Sequence, residues 1–229
     1  MSSSDLGHPE GDRSLAPPRS LLRGATGPLG GAQGNERLTS AVALVLLVLL
    51  GAEVLTTLDL SSFLPVHLFL GLALLPAISL KLASATWRMA GYYAGSAEYR
   101  RRGPPQIGLR LLAPALVAAT VVLFGSGVAL VVTGSGGGVL GTLHVGSFLV
   151  WSVFIVAHVG AHLLRALDGG LADWRPRRRL PGAGRRTTLV LGALVAGIAL
   201  ALATHSVQSS WLSDHHHHND AGAQAFDRR

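Results

Sequence analysis

Residues Leu143–Arg165 read LHVGSFLVWSVFIVAHVGAHLLR, a nearly unbroken apolar run that contains three histidines. A helix of about 20 residues crosses a hydrocarbon core, so this run predicts a membrane-spanning helix. An ionisable side chain inside such a helix is costly unless it finds a partner, and it usually marks a functional site. His144, His158 and His162 are therefore candidate functional residues.

Five apolar stretches of this kind follow one another along the chain. They cover about residues 38–58, 63–85, 109–133, 139–166 and 188–204. Only 14% of the 229 residues are charged, where a soluble domain has about 25%. We expect an all-α fold, a polytopic transmembrane bundle of five helices over residues 38–206. A disordered tail, residues 1–37, would precede it, and a His-rich tail, residues 207–229, would follow.

Basic residues are concentrated in alternate links between these stretches. The links at residues 59–61 and 134–138 contain no Lys or Arg, whereas the links that follow residues 85 and 166 are rich in arginine. Cytoplasmic loops are enriched in Lys and Arg, so we expect a bacterial cytoplasmic membrane protein with a cytoplasmic N-terminus and an extracytoplasmic C-terminus. This orientation accounts for the net charge of +7. We therefore expect the lipid bilayer, and not nucleic acid, to face the basic residues.

The three histidines of the fourth stretch share one helix face. His158 follows His144 by 14 residues and His162 follows it by 18, and both offsets fall within about 40° of whole turns. His144 and His158 are then about 21 Å apart along the helix axis. Two haems could be seated one above the other at that separation.

His67 is the candidate partner of His144. The second and fourth stretches run in the same direction, and each histidine lies four or five residues after its start. A haem b between two parallel helices needs one imidazole from each at matching depth, and neutral imidazole is a good iron ligand. Glu53 and His205 fall at the same depth. Glu53 could accept a proton or a hydrogen bond from an axial histidine.

The chain has no cysteine, which excludes disulfides, thiolate metal sites and covalently attached haem. His158 has no evident partner. The residue of the second stretch at the matching depth, 14 residues after His67, is Lys81 and not a histidine, and the first, third and fifth stretches contain no histidine. One haem is therefore better supported than two, and His158 and His162 stay open as ligands. Gly125 and Gly127 predict a close helix contact.

The chain resembles the small membrane b-type cytochromes of bacteria, the group that contains the gamma subunit of formate dehydrogenase. The resemblance covers about residues 60–175 and depends on VHLFLG around His67 and on the spacing of His144 and His158. It implies a four-helix haem-bearing bundle, with the fifth helix added at the C-terminus, and His67 with His144 as the outer haem pair. The family's histidine in the first helix is missing here. Residues 81–114 also resemble a family of actinobacterial membrane proteins.

The leading hypothesis is a b-type cytochrome that carries electrons between the quinone pool and a redox partner at the outer face, such as an extracytoplasmic oxidoreductase subunit. It would be an electron-transfer subunit more than an enzyme on its own. One alternative is a Zn²⁺ or non-haem metal site made by Glu53, His67, His144 and His205. Another is a structural subunit without a cofactor. The run His215–His218 could bind a divalent metal, although flexible tails usually do so loosely.

Overall fold

The computed structural model describes residues 28–100, 107–134, 137–175, 180–210 and 212. This part of the chain is all-helical. Its five long helices are α1 (Gly31–Thr56), α2 (Leu60–Tyr93), α3 (Ile107–Thr133), α4 (Gly138–Gly170) and α5 (Ala183–Ala203). Single helical turns at Thr57–Asp59, Ala97–Arg100 and Ala172–Trp174 lie between them.

Four helical segments are long and apolar enough to cross a membrane. They are Gly31–Tyr93, Leu111–Thr133, Gly138–Gly170 and Ala183–Ala203. The first comprises α1 and α2, which the turn Thr57–Asp59 separates. Many large apolar side chains lie exposed on the helices, which suits a surface that faces lipid tails. The chain is therefore a multi-pass integral membrane protein, and the predicted all-α transmembrane fold is confirmed to that extent.

The helices pack as a group of three, α1, α2 and α5, and a pair, α3 and α4, which meet where α1 contacts α4. α1 packs against α2, α4 and α5, while α2 also packs against α5 and α3 packs against α4. The main apolar core lies between α1 and α2, and its buried residues are Leu38, Val42, Leu46, Leu74, Ala77 and Ile78. A smaller core joins α3 to α4 around Trp151, whose indole N–H donates to Thr120 Oγ1 at 3.0 Å.

The helices extend past their predicted bounds at one end of the bundle. α1 begins at Gly31 and not at residue 38, and α2 ends at Tyr93 and not at residue 85. The backbone N–H of Ala32 donates to Glu98 Oε1 at 2.6 Å, so a carboxylate from beyond α2 caps the start of α1. The range predicted for the disordered tail, residues 1–37, therefore overlaps the first turns of α1, which begins at Gly31. Residues 1–27 lie outside the described chain.

A buried arginine joins the helix ends on this side, which we call the basic end. Arg186 is 2% exposed and donates through Nε and Nη2 to the two oxygens of Asp173, at 2.6 and 2.7 Å. Its Nη1 donates to the carbonyls of Leu29 and Pro181 at 2.6 and 2.9 Å. Arg37 also pairs with Asp173 at 2.8 Å. One carboxylate therefore links the starts of α1 and α5 to the turn after α4.

Asp173→Asn should destabilise the bundle by about 3–5 kcal/mol, because it leaves the Arg186 charge buried without its counter-ion. Thermal unfolding in detergent measures this change. The control is Asp168→Asn, whose carboxylate makes an exposed ion pair with Arg175 at 3.6 Å; it should change stability little. Equal unfolding temperatures for the two variants would contradict the assignment.

The ion pair of Asp173 with Arg186 predicts that the stability of the fold depends on pH. Burial acts to raise the pKa of Asp173, but hydrogen bonds from Arg186 and Arg37 outweigh it and hold that pKa below its usual range. A carboxyl whose pKa is lower in the folded state stabilises the fold above its unfolded pKa, and this contribution disappears as the pH falls through the folded pKa. The stability gap between wild type and Asp173→Asn should therefore be constant near neutrality and narrow below about pH 4.

The crossing of α5 and α2 offers a second test. A Cβ added at Gly197 would overlap the backbone carbonyl of Ala73, whereas one at Gly192 would meet no described atom within 4 Å. Gly197→Ala should force the helices apart at a cost of about 1–3 kcal/mol. Gly192→Ala should be neutral or stabilise by up to about 1 kcal/mol. If both variants unfold at the wild-type temperature, the close approach of α2 and α5 is wrong.

Candidate functional site

Glu53, His67 and His144 meet at the end of the bundle opposite to Arg186. The ring centres of His67 and His144 are 6.3 Å apart, and their planes are inclined by 81°. Glu53 Oε1 lies 3.0 Å from His67 Nδ1. α2 and α4, which carry the two rings, have little direct contact with each other. The rings therefore meet across the space between these helices, and the three residues that the sequence places at one depth form one cluster.

The hydrogen bonds around His67 favour one of its tautomers. Thr56 Oγ1 lies 2.9 Å from His67 Nδ1. The same hydroxyl donates its hydrogen to the Glu53 carbonyl oxygen at 2.6 Å, so its oxygen is left to accept. This arrangement favours the tautomer of His67 with the proton on Nδ1 and the lone pair on Nε2.

His144 is held by the same arrangement from α3. Its Nδ1 lies 3.1 Å from the carbonyl oxygen of Leu123, which can only accept. Ser126 Oγ lies 3.3 Å from this nitrogen and donates its hydrogen to the same carbonyl at 3.0 Å. His144 is therefore also protonated at Nδ1. In both cases a hydroxyl bonded to the carbonyl three residues earlier orients the ring.

His67 and His144 are the two described residues that could hold a metal ion between them at this end of the bundle. A neutral histidine binds a metal through the nitrogen that has the lone pair, while its other N–H bonds a carbonyl or carboxylate. No hydrogen bond in the described chain engages Nε2 of either ring. The ring centres, 6.3 Å apart, are near enough for both imidazoles to contact one group lying between them.

Glycines make room beside the cluster. A Cβ added at Gly127 would lie 3.0 Å from His144 Cε1, and one at Gly71 would lie 3.3 Å from Glu53 Oε1. The absence of a side chain at Gly127 thus lets the α3 backbone approach the imidazole closely. The close helix contact predicted for Gly125 is not observed among the described residues, since a Cβ added there would meet no described atom within 4 Å.

Glu53 uses only one of its two carboxyl oxygens. Oε1 faces His67, whereas Oε2 is buried and has no hydrogen-bond partner among the described residues. A buried oxygen without a partner is unfavourable. A proton on the carboxyl group, or a donor from a bound molecule, would satisfy it. The position suits the two roles predicted for Glu53, proton transfer and support of an axial histidine, and both stay predictions.

The other predicted site residues lie away from this cluster. His158 and His162 are one turn apart on α4, with ring centres 4.8 Å apart. His205 is exposed after the end of α5, and no contact found in the described chain joins it to the cluster. The run His215–His218 lies outside the described residues.

The alternative metal site is not assembled. The described ranges contain no group of three or more His, Asp and Glu side chains placed to hold a metal ion. Glu53, His67, His144 and His205 therefore do not converge as the ligands of one tetrahedral ion would. The arrangement is instead an opposed pair of imidazoles with a carboxyl group behind one of them.

Thr56, Ser126 and the Leu123 carbonyl do not emerge from the sequence analysis, although they orient both rings. Two signals could have indicated them. Thr56 follows Glu53 by three residues, and Ser126 lies between Gly125 and Gly127 in an otherwise apolar helix. A hydroxyl in such a helix usually bonds the backbone one turn earlier.

Histidine ¹⁵N NMR of the cofactor-free protein should show His67 and His144 as Nδ1–H tautomers. Thr56→Val should shift the ring signals of His67 and leave those of His144 in place. Ser126→Ala should do the reverse, because each hydroxyl accepts from only one ring. The signals of the exposed His205 are the internal control and should respond to neither change. An Nε2–H tautomer at either ring would contradict the assignment.

No protein-family model, curated protein or solved structure matches the chain. The resemblance to the small membrane b-type cytochromes therefore depends on His67, on the spacing of His144 and His158 and on the residues around them, and it stays a prediction.

Proposed function

We propose that the chain is a membrane b-type cytochrome that holds one haem b between His67 of α2 and His144 of α4. The observation that carries this proposal is the state of the two rings. Each ring has an oxygen acceptor within hydrogen-bond distance of its Nδ1, and no hydrogen bond in the described chain engages the Nε2 of either ring. When bound, the haem would supply reversible one-electron transfer.

The surrounding residues orient the ligands and tune their basicity. Thr56 and Ser126 hold the rings in one tautomer, so no proton must leave Nε2 before it can ligate. An ionised Glu53 next to His67 would make that ring more electron-rich than the carbonyl of Leu123 makes His144, whereas a protonated Glu53 would not, because ligand basicity rises when the N–H bonds a carboxylate. The apolar helices limit access of water, which affects the redox potential.

Five membrane spans complete the proposal. α1 and α2 have 26 and 34 residues, and each exceeds the roughly 20 residues that one span needs. The start of α1 contacts Glu98, which follows the end of α2, so the two helices run in opposite directions. α1–α4 would then form the haem-bearing bundle, with α5 beside α1 and α2. The arginines of the basic end support a cytoplasmic location for that end in this proposal.

This orientation puts His67 and His144 near the outer face of the membrane. They lie seven and six residues after the first residues of α2 and α4, a rise of about 10 Å. Such a haem would be within reach of an extracytoplasmic oxidoreductase subunit and of the quinone pool. An electron-transfer subunit between these two partners is the role that fits best, and it agrees with the family resemblance.

A reduced-minus-oxidised absorption spectrum tests the proposal. The protein, purified after expression with adequate haem, should show a sharp α-band. His67→Ala and His144→Ala should each abolish it, because each removes one of the two residues that we propose hold the haem. His158→Ala and His162→Ala are matched controls on α4 and should keep it. A wild-type protein without the band would overturn the proposal, and loss of half the haem in His158→Ala would reveal a second haem.

A further inference from the structure

His158 and His162 form a second pair of imidazoles, on the part of α4 nearer the basic end. Their ring centres are 4.8 Å apart, and their planes are inclined by 51°. Side chains four residues apart on a helix are neighbours on one face, so α4 by itself brings these two rings together. The zinc-binding histidines of His-Glu-x-x-His helices have the same spacing.

The nitrogens of these two rings have no hydrogen-bond partner among the described residues. In this they differ from His67 and His144, each of which has an oxygen acceptor near its Nδ1. A polar side chain in an apolar helix is unfavourable without a partner. Both rings of the second pair are partly exposed, so a ligand from outside the bundle has access to their nitrogens.

The separation of the two rings suits one metal ion that both of them bind. A neutral imidazole has a lone pair on one ring nitrogen, and imidazole is a common ligand of Zn²⁺ and Cu²⁺. When two imidazoles occupy neighbouring positions on one ion through bonds of about 2 Å, their ring centres are about 5 Å apart. The observed separation of 4.8 Å agrees with this arrangement.

We propose that His158 and His162 bind a divalent transition-metal ion, Zn²⁺ or Cu²⁺, as its two protein ligands. No third His, Asp or Glu is placed to join them in the part of the chain that the structure describes. Water or small anions therefore fill the remaining positions, which makes the site open, unlike the closed four-ligand sites of structural zinc. The site is separate from His67 and His144 and does not depend on a haem there.

The charges around the second pair are positive. Arg165 follows His162 by three residues and is exposed on α4, and the charges of Lys81 and Arg88 act on both rings. Like charges repel a divalent cation, so the imidazole lone pairs hold the ion without the help of a carboxylate. A small anion such as chloride or hydroxide is then favoured at one of the open positions, and removal of a neighbouring positive charge should strengthen binding.

The full-length protein in detergent, titrated with Cu²⁺ or Zn²⁺ alone, is the material for the test. His215–His218 are replaced by Ala in every protein, because a His-rich tail binds the same ions loosely. One equivalent of Cu²⁺ should give an electron paramagnetic resonance signal with splitting from two imidazole nitrogens. Zn²⁺ should raise the unfolding temperature, since the ion favours the folded helix that brings the two rings together.

Variants separate this site from binding by other histidines. His158→Ala and His162→Ala should each weaken Cu²⁺ binding by about tenfold or more, because even an outer-shell partner of a metal contributes that much, and each should remove the two-nitrogen splitting. His205→Ala removes an exposed histidine elsewhere and should bind Cu²⁺ like the parent. Arg165→Gln should bind it about twofold more tightly, because a neighbouring positive charge is lost.

Three results would overturn the proposal. The first is a parent protein that binds neither ion. The second is equal Cu²⁺ affinity in the parent, His158→Ala and His162→Ala. The third is weaker Cu²⁺ binding by Arg165→Gln, which would mean that an anion and not a cation occupies this part of α4.

Discussion

A polar side chain within an apolar helix has no water to bond, so its partner must come from elsewhere in the bundle. This constraint acts at three levels of the structure. At the basic end Arg186 and Arg37 share Asp173, and further along Lys81 bonds the α1 backbone. At the opposite end His67 meets Glu53. Apolar packing between helices tolerates sliding, whereas each of these directional contacts fixes one helix against another along its axis.

The two rings of the candidate site are oriented by the same local device on two different helices. Thr56 at the end of α1 and Ser126 on α3 each return a hydroxyl hydrogen to their own backbone. Each hydroxyl oxygen can then accept a hydrogen bond, and each lies next to the Nδ1 of a neighbouring imidazole, which it orients. No hydrogen bond in the described chain engages the Nε2 of either ring, which is why we propose that the two imidazoles hold a haem b.

The two levels of the α2–α4 space share one spacing but differ in their residues. Fourteen residues separate His67 from Lys81 and His144 from His158. At the first level Glu53 lies next to His67. At the second level α2 carries Lys81, whose Nζ donates to the Thr39 carbonyl of α1. His158 therefore has no histidine of α2 opposite to it, which is why we propose one haem and not two.

The sequence by itself determined that the chain forms long apolar helices, and it predicted that Glu53, His67 and His144 lie at one level. These properties follow from hydropathy and from the constant rise per residue, which are local. Only the tertiary structure decided where the helices end at the basic end, which tautomer each ring adopts and which groups surround Lys81. The contact of Ala32 with Glu98 spans 66 residues of sequence. Such contacts depend on how far each helix is rotated about its own axis, and that rotation is set by packing between helices.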